Sequence, residues 1–190
     1  MSVRVDVAGA RDGDDALGAV VLVVGCVLLA LRPLSSVSAD SRVVLFGATY
    51  ATIALASIAV PADRDRSHLS PAWALALGTV AVIAVAGMTG PSVASPWVAA
   101  TLPLSVVAAV AEEALFRRVA YARLARFGAV VAIAGSALLF GLVHVPAYGV
   151  AALPVDLGAG LVFGWQRWAS GTWTVPAGTH AFANVLVVMR

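Results

Sequence analysis

WVAATLPLSVVAAVAEEALFRRVAYARLAR, residues 97–126, is the stretch on which the reading of this chain turns. Up to Ala111 it holds no Asp, Glu, Lys or Arg, and that uncharged run reaches back to Ser67. Glu112 and Glu113 then arrive together, the only two glutamates in 190 residues, with Arg117 and Arg118 close behind. An ionisable group in apolar surroundings is costly unless partnered, so within a membrane-type sequence it points by default to a functional site. The segment reads as one long helix that carries acid into an otherwise apolar interior.

Working outward, the rest of the chain supports that environment. Hydrophobic residues make up 61% and charged residues 12% of the sequence, and mean hydropathy is +0.96. An ordinary soluble domain has about 25% charge. Apolar runs fall at 17–31, 43–60, 72–87, 97–126, 128–145, 151–168 and 174–189, each bounded by charge, Pro or Gly. Most approach the ~20 residues needed to cross a bilayer as a helix. The expected fold is all-α, a polytopic membrane bundle of about seven transmembrane helices. The run at 17–31 has the length of a signal-peptide core but is expected to be a membrane helix, because Asp12, Asp14 and Asp15 precede it and Arg32-Pro33 follows.

Residues 1–15, rich in Asp and Gly, are expected to form a mobile polar tail. Residues 16–96 then supply N-terminal transmembrane helices, and 97–190 the core that carries the chemistry. The loops at 61–71 and 89–96 are short and polar, too small to hold a site, so chemistry must lie among the helices.

All twelve basic residues are arginines. Seven spans put Arg4, Arg11, Arg64, Arg66, Arg117, Arg118, Arg123, Arg126 and Arg167 on one face, and Arg32, Arg42 and Arg190 on the other. The positive-inside rule makes the richer face cytoplasmic, with the N-terminus inside, and the expected location is the plasma (inner) membrane. The net charge of +2 is thus a topology signal. No basic cluster is interleaved with surface aromatics, so nucleic acid is not an expected partner; the lipid bilayer is. The single cysteine, Cys26, permits no internal disulfide and reads as a small residue of a lipid-facing helix.

Three groups of polar residues stand out against this background. Glu113 and Arg117 are four apart and can pair on one helix face, leaving Glu112 unpaired and rotated ~100° toward another part of the bundle. His144 closes the string FGLVH, with Phe140 one turn before it. If the chain turns at Gly128, Glu112 lies ~21 Å and His144 ~24 Å from that turn at 1.5 Å per residue, so the two can meet between adjacent helices. Ala134, Gly135, Ser136, Ala137 and Gly141 are small enough for close helix packing. In the last run His180 and Asn184 are again four apart and leave one helix face together, two N–H donors suited to stabilising an oxyanion. His68 sits beside Ser67 and Ser70 and reads as a solvated loop residue.

Glu112-Glu113-x-x-x-Arg117, Phe140-x-x-x-His144 and His180-x-x-x-Asn184, in this order and each in an apolar helix, resemble the motifs of the CPBP family. These are the CAAX-protease and bacteriocin-processing membrane peptidases, also known as the type II CAAX prenyl endopeptidase or ABI group. Residues 164–181 (GWQRWASGTWTVPAGTHA) also resemble the family's segment before its last motif. The resemblance runs from about residue 97 to the C-terminus. It implies an intramembrane endopeptidase acting on a membrane-associated protein or peptide. Glu112 and His144 would activate water, His180 and Asn184 would hold the oxyanion, and Glu113, Arg117 and Phe140 would support the site. A carboxylate and a neutral imidazole in low dielectric can together serve as a base for peptide hydrolysis.

Three further alternatives remain at this stage. Glu112, His144 and His180 form a His₂Glu set suited to zinc or another divalent metal with an open water position. Against a metal, the sequence has no HExxH helix, and Asn184 one turn from His180 fits a donor pair better. A Glu–His relay would also suit a small proton-coupled transporter, and the same fold could serve as a non-proteolytic scaffold or immunity protein.

Overall fold

A computed structural model of the chain describes residues 7–32, 38–61, 66–88 and 98–189. The helices are α1 (Val7–Leu31), α2 (Ala39–Ala59), α3 (Pro71–Met88), α4 (Val98–Glu113), α5 (Tyr121–Leu124), α6 (Ala129–Tyr148), α7 (Leu153–Ser170) and α8 (Thr174–Val188). A π-helical segment, Ala114–Ala120, joins α4 to α5, so the described residues form seven helical rods. The fold is an all-α membrane helix bundle.

Three helical stretches are by themselves long and apolar enough to cross a membrane: Gly13–Leu31, Ser41–Ala59 and Ala129–Tyr148. The others are shorter, or, like α7 with Asp156 and Arg167, carry charge that only packing against neighbours can hide. The outside of the bundle is apolar. Val20, Val23, Val44, Leu55, Trp73, Val80 and Val130 are all exposed, as expected where hydrocarbon rather than water is the solvent.

Several expectations change here. The polar tail expected over 1–15 is already helical from Val7, while residues before it lie outside the described set. Arg123 ties this extension down by donating to the carbonyls of Asp14 and Asp15 at 3.0 and 3.1 Å. Gly18 makes room, since a Cβ there would collide with the Arg123 guanidinium. The long helix expected over 97–126 changes hydrogen bonding just after the glutamates, where the π-helical segment begins, and tightens to a 3-10 turn over Ala125–Phe127. The loop expected at 89–96 lies outside the described residues.

The arginines are redistributed as well. Arg32, Arg117 and Arg167, counted above as charges outside the bundle, turn inward: Arg117 and Arg167 are buried, and Arg32 enters the site described below. Arg167 Nε donates to the Arg117 carbonyl at 3.1 Å, and its guanidinium lies over the Tyr121 ring. Arg118 donates to the carbonyls of Ser57, Ile58 and Val60, capping the end of α2 whose last carbonyls have no helical partner. His68 is exposed yet stacked on Trp168 at 4.3 Å between ring centroids, and its backbone N–H docks on the Ala169 carbonyl.

Close approach sets the core. Helices α6 and α7 make the most extensive pairing in the bundle. A Cβ on Gly160 would stand 2.9 Å from the Ala137 Cα, and one on Gly164 would meet Ile133 at 3.2 Å. These two glycines, four apart, form the small-residue stripe that lets membrane helices touch along their backbones. At the other end of α7, Gly171 takes a left-handed conformation (φ 69°) and donates to Arg167 O, ending the helix so that α8 can return beside it.

Candidate active site

The site is built where α1, α2, α4, α6 and α8 surround a cavity of about 330 Å³. Its level follows from the helix ends: His144 is one turn before the end of α6, Asn184 one turn before the end of α8, and Arg32 follows α1 directly. These three ends lie at the same side of the bundle, the one opposite the turn that carries Arg123 and Arg126.

The two adjacent glutamates are both buried and take different partners. Glu113 Oε2 pairs with Arg117 Nε at 3.2 Å, both side chains being inaccessible, as the four-residue spacing allows. Its other oxygen, Oε1, faces His180 Nδ1 at 3.0 Å. Glu112 points into the cavity instead. Its Oε2 lies 3.6 Å from His144 Nε2 and 4.0 Å from His180 Nε2. Oε1 meets Arg32 Nη1 at 3.1 Å, so the sequence-based expectation that Glu112 has no ionic partner is corrected. That spacing argument considered only residues on the same helix, and Arg32 comes from another.

Hydrogen bonding fixes the tautomers of both imidazoles. His144 Nδ1 is 2.7 Å from the Phe140 carbonyl, which can only accept, so Nδ1 carries hydrogen. His180 Nδ1 must likewise donate to the Glu113 carboxylate. In their neutral forms both rings therefore present an unprotonated Nε2 toward Glu112 Oε2. Three lone-pair atoms face one another, the two nitrogens 3.6 and 4.0 Å from the oxygen, near enough to share a proton or for one water beside them to hydrogen-bond to two at once.

The same logic changes the expected pair of N–H donors. His180 Nε2 donates only when the ring is an imidazolium, and the Asn184 amide already gives one hydrogen to the Ser105 carbonyl at 3.0 Å. Its second amide hydrogen is left to serve the cavity, which Asn184 lines.

Phe140 is the mechanical centre of this group. Its ring makes edge contacts with Phe116, Phe163 and His180, lies 4.5 Å from the His144 ring, and carries the Arg117 guanidinium at 4.8 Å. Phe163 stacks on His180 at 4.9 Å, and Tyr148 stacks on His144 at 5.8 Å. Arg117 is anchored further by donating from Nη2 to the Gly160 carbonyl at 2.9 Å. Glu112, Glu113, Arg32 and Arg117 together balance two negative against two positive charges, the condition under which buried ions are tolerable.

Among the described residues no group of three or more His, Cys, Asp and Glu side chains is gathered closely enough to share one ion. The carboxylate that would anchor such a set also holds a guanidinium on its other oxygen.

Arg32 and Tyr50 carry no mark of a site in the sequence. An arginine directly after an apolar run reads as a membrane-surface marker, and a tyrosine within one reads as packing, so neither gave a signal.

Residues 94–186 match the family model of the Rce1-like type II CAAX prenyl endopeptidases. No curated protein and no solved structure matches the chain. The matched segment contains Glu112, Glu113, Arg117, Phe140, His144, His180 and Asn184, and leaves out Arg32 and Tyr50.

Proposed function

Through residues 94–186 the chain belongs to the Rce1-like type II CAAX prenyl endopeptidase family, and from that premise we propose that it is an intramembrane endopeptidase with Glu112 and His144 as its water-activating pair. The observation that carries this reading is the gap of 3.6 Å between Glu112 Oε2 and His144 Nε2, two acceptors aimed at each other with the imidazole tautomer fixed from behind. A water molecule in the cavity beside this pair, within hydrogen-bond reach of both atoms, gives a hydrogen to one acceptor and can be polarised by the other.

In the proposed reaction the water oxygen bonds to the scissile carbonyl carbon while its proton moves to the Glu112–His144 pair. The carbonyl π electrons move onto oxygen. Asn184, through its second amide hydrogen, donates to that oxyanion, and so does His180 once the proton taken from the water has passed on to its Nε2, the ring being backed by Glu113. Return of the proton to the amide nitrogen accompanies breaking of the C–N bond, giving a carboxylic acid and an amine. Proton and negative charge stay within one cavity throughout, so the balanced cluster never carries a full uncompensated charge. Glu113, Arg117 and Phe140 hold the imidazoles and carry no proton in this scheme.

The substrate class is a membrane-associated protein or peptide. The family name specifies prenylated C-termini, which are one member of that class. Arg66, Arg123 and Arg126 remain at one end of the bundle after the interior arginines are set aside, which supports a cytoplasmic placement of that end.

The test is hydrolysis of an internally quenched peptide mixture on an acyl anchor, in detergent and in phosphatidylcholine vesicles. Cleavage by the wild type, lost in a folded Glu112→Gln variant, is the expected result. Equal cleavage by both proteins would remove Glu112 from the chemistry.

A further inference from the structure

We propose that Arg32 is a positioning residue of this site, and that through it the first two helices complete the active centre. The inference rests on the reading of Glu112 as part of the water-activating pair, and reaches beyond it to a residue outside the family match.

Arg32 stands just past the end of α1, eighty positions before Glu112 in sequence. A helix-end arginine in a membrane protein ordinarily extends its side chain outward to the polar interface. This one does the reverse. Its Nε donates to the Leu29 carbonyl at 2.8 Å, folding the side chain back over the helix end. Nη1 then reaches Glu112 Oε1 and the Tyr50 hydroxyl of α2, and the guanidinium lies over the Tyr50 ring at 5.5 Å. Only 10% of the side chain is accessible. Arg32, Tyr50 and Glu112 all line the same cavity.

The chemical consequence follows from the two carboxylate oxygens having different neighbours. A glutamate side chain has three rotatable bonds, and an unheld carboxylate would sample orientations that turn either oxygen to the imidazoles. Arg32 takes Oε1, which leaves Oε2 facing His144 and His180. Tyr50 in turn holds the same nitrogen, its hydroxyl accepting from Nη1. Reacting groups must be held to within about 0.5 Å of their productive places, and a displacement near 1 Å can lower a rate by ~10²-fold.

The experiment compares wild type, Arg32→Met, Arg32→Lys and Tyr50→Phe with the acyl-anchored quenched peptides described above, after each variant is shown to be helical and monodisperse. Arg32→Met keeps side-chain length and removes the cation. Its kcat should fall by roughly 10²-fold with KM changed little. Arg32→Lys should recover about tenfold of that loss by restoring a cation near Oε1, which mere packing would not require. Tyr50→Phe should fall between wild type and Arg32→Met. A folded Arg32→Met with wild-type kcat, or a loss confined to KM, overturns the proposal.

A thermal-unfolding cycle needs no activity. Arg32→Met should lower the melting temperature, and Glu112→Gln in that background should restore part of it, because the unpaired carboxylate is then gone. Strictly additive effects overturn the pairing. Failure of the wild type to cleave, or cleavage unaffected by Glu112→Gln, sinks the peptidase reading separately, and the cycle still decides whether Arg32 holds Glu112.

Discussion

His180 Nδ1 donates to Glu113 Oε1 at 3.0 Å, so the glutamate that does not enter the cavity still governs what the cavity contains. By fixing that hydrogen, Glu113 leaves Nε2 of His180 as the atom facing Glu112 and keeps the ring stacked on Phe163. Adjacent carboxylates are thereby separated in task, one holding an imidazole from behind and the other facing it.

Replacing His144 by alanine should abolish hydrolysis while leaving the helical content unchanged. The ring contributes an acceptor 3.6 Å from Glu112 Oε2, and its removal leaves nothing opposite that oxygen from α6. Loss of a positioned acid–base group typically lowers a rate by 10²–10⁴-fold. Substantial turnover by folded His144→Ala, measured with the quenched peptides, would dissolve the proposed pair.

Arg117→Ala should cost about 3–5 kcal/mol in stability, since it leaves the Glu113 carboxylate buried with its cation gone. It also removes the donor to the Gly160 carbonyl and the cation over Phe140. Thermal unfolding in detergent measures this. An inactive Arg117→Ala protein with wild-type stability would mean that Arg117 acts on substrate instead.

Asn184→Ala should lower kcat by ~10²–10³-fold if its second amide hydrogen meets the oxyanion. The hydrogen bond to Ser105 O is lost at the same time, a stability effect of about 1 kcal/mol. Comparing kcat with the melting temperature separates the two. A variant destabilised by that amount and fully active would leave Asn184 as a tie between α4 and α8 only.

The metal question has a direct measurement. Protein treated with chelator and then shown by elemental analysis to lack divalent metal should remain fully active under the proposed Glu112–His144 chemistry. Stoichiometric zinc whose removal stops hydrolysis, and whose return restores it, would recast Glu112, His144 and His180 as ligands.

Gly160→Val tests the packing beneath the site. The new Cβ would lie 2.9 Å from the Ala137 backbone, forcing α6 and α7 apart. Overpacking of this kind typically destabilises by 1–3 kcal/mol. Since Gly160 O also accepts from Arg117, both the melting temperature and the activity should fall. Unchanged values for both would show that α6 and α7 are not in contact there.

Much of this protein was legible in the order of its residues. Hydropathy determined an all-α membrane bundle, because a backbone in hydrocarbon must satisfy its own hydrogen bonds and a helix does so locally. The same local period placed Glu113 on Arg117, Phe140 one turn before His144, and His180 with Asn184 on one side of α8, since residues four apart share a helix face. What the sequence could not decide was the partner of any charge lying on another helix. Burial cost required Glu112, Arg32 and Arg167 to be compensated, but that requirement is silent about by which group. The answers, Arg32 on Glu112, Arg167 on the Arg117 carbonyl and Asn184 on Ser105, depend on how closely the rods approach. That approach is set by glycines such as Gly160, whose missing Cβ has its effect only when a second helix is against it.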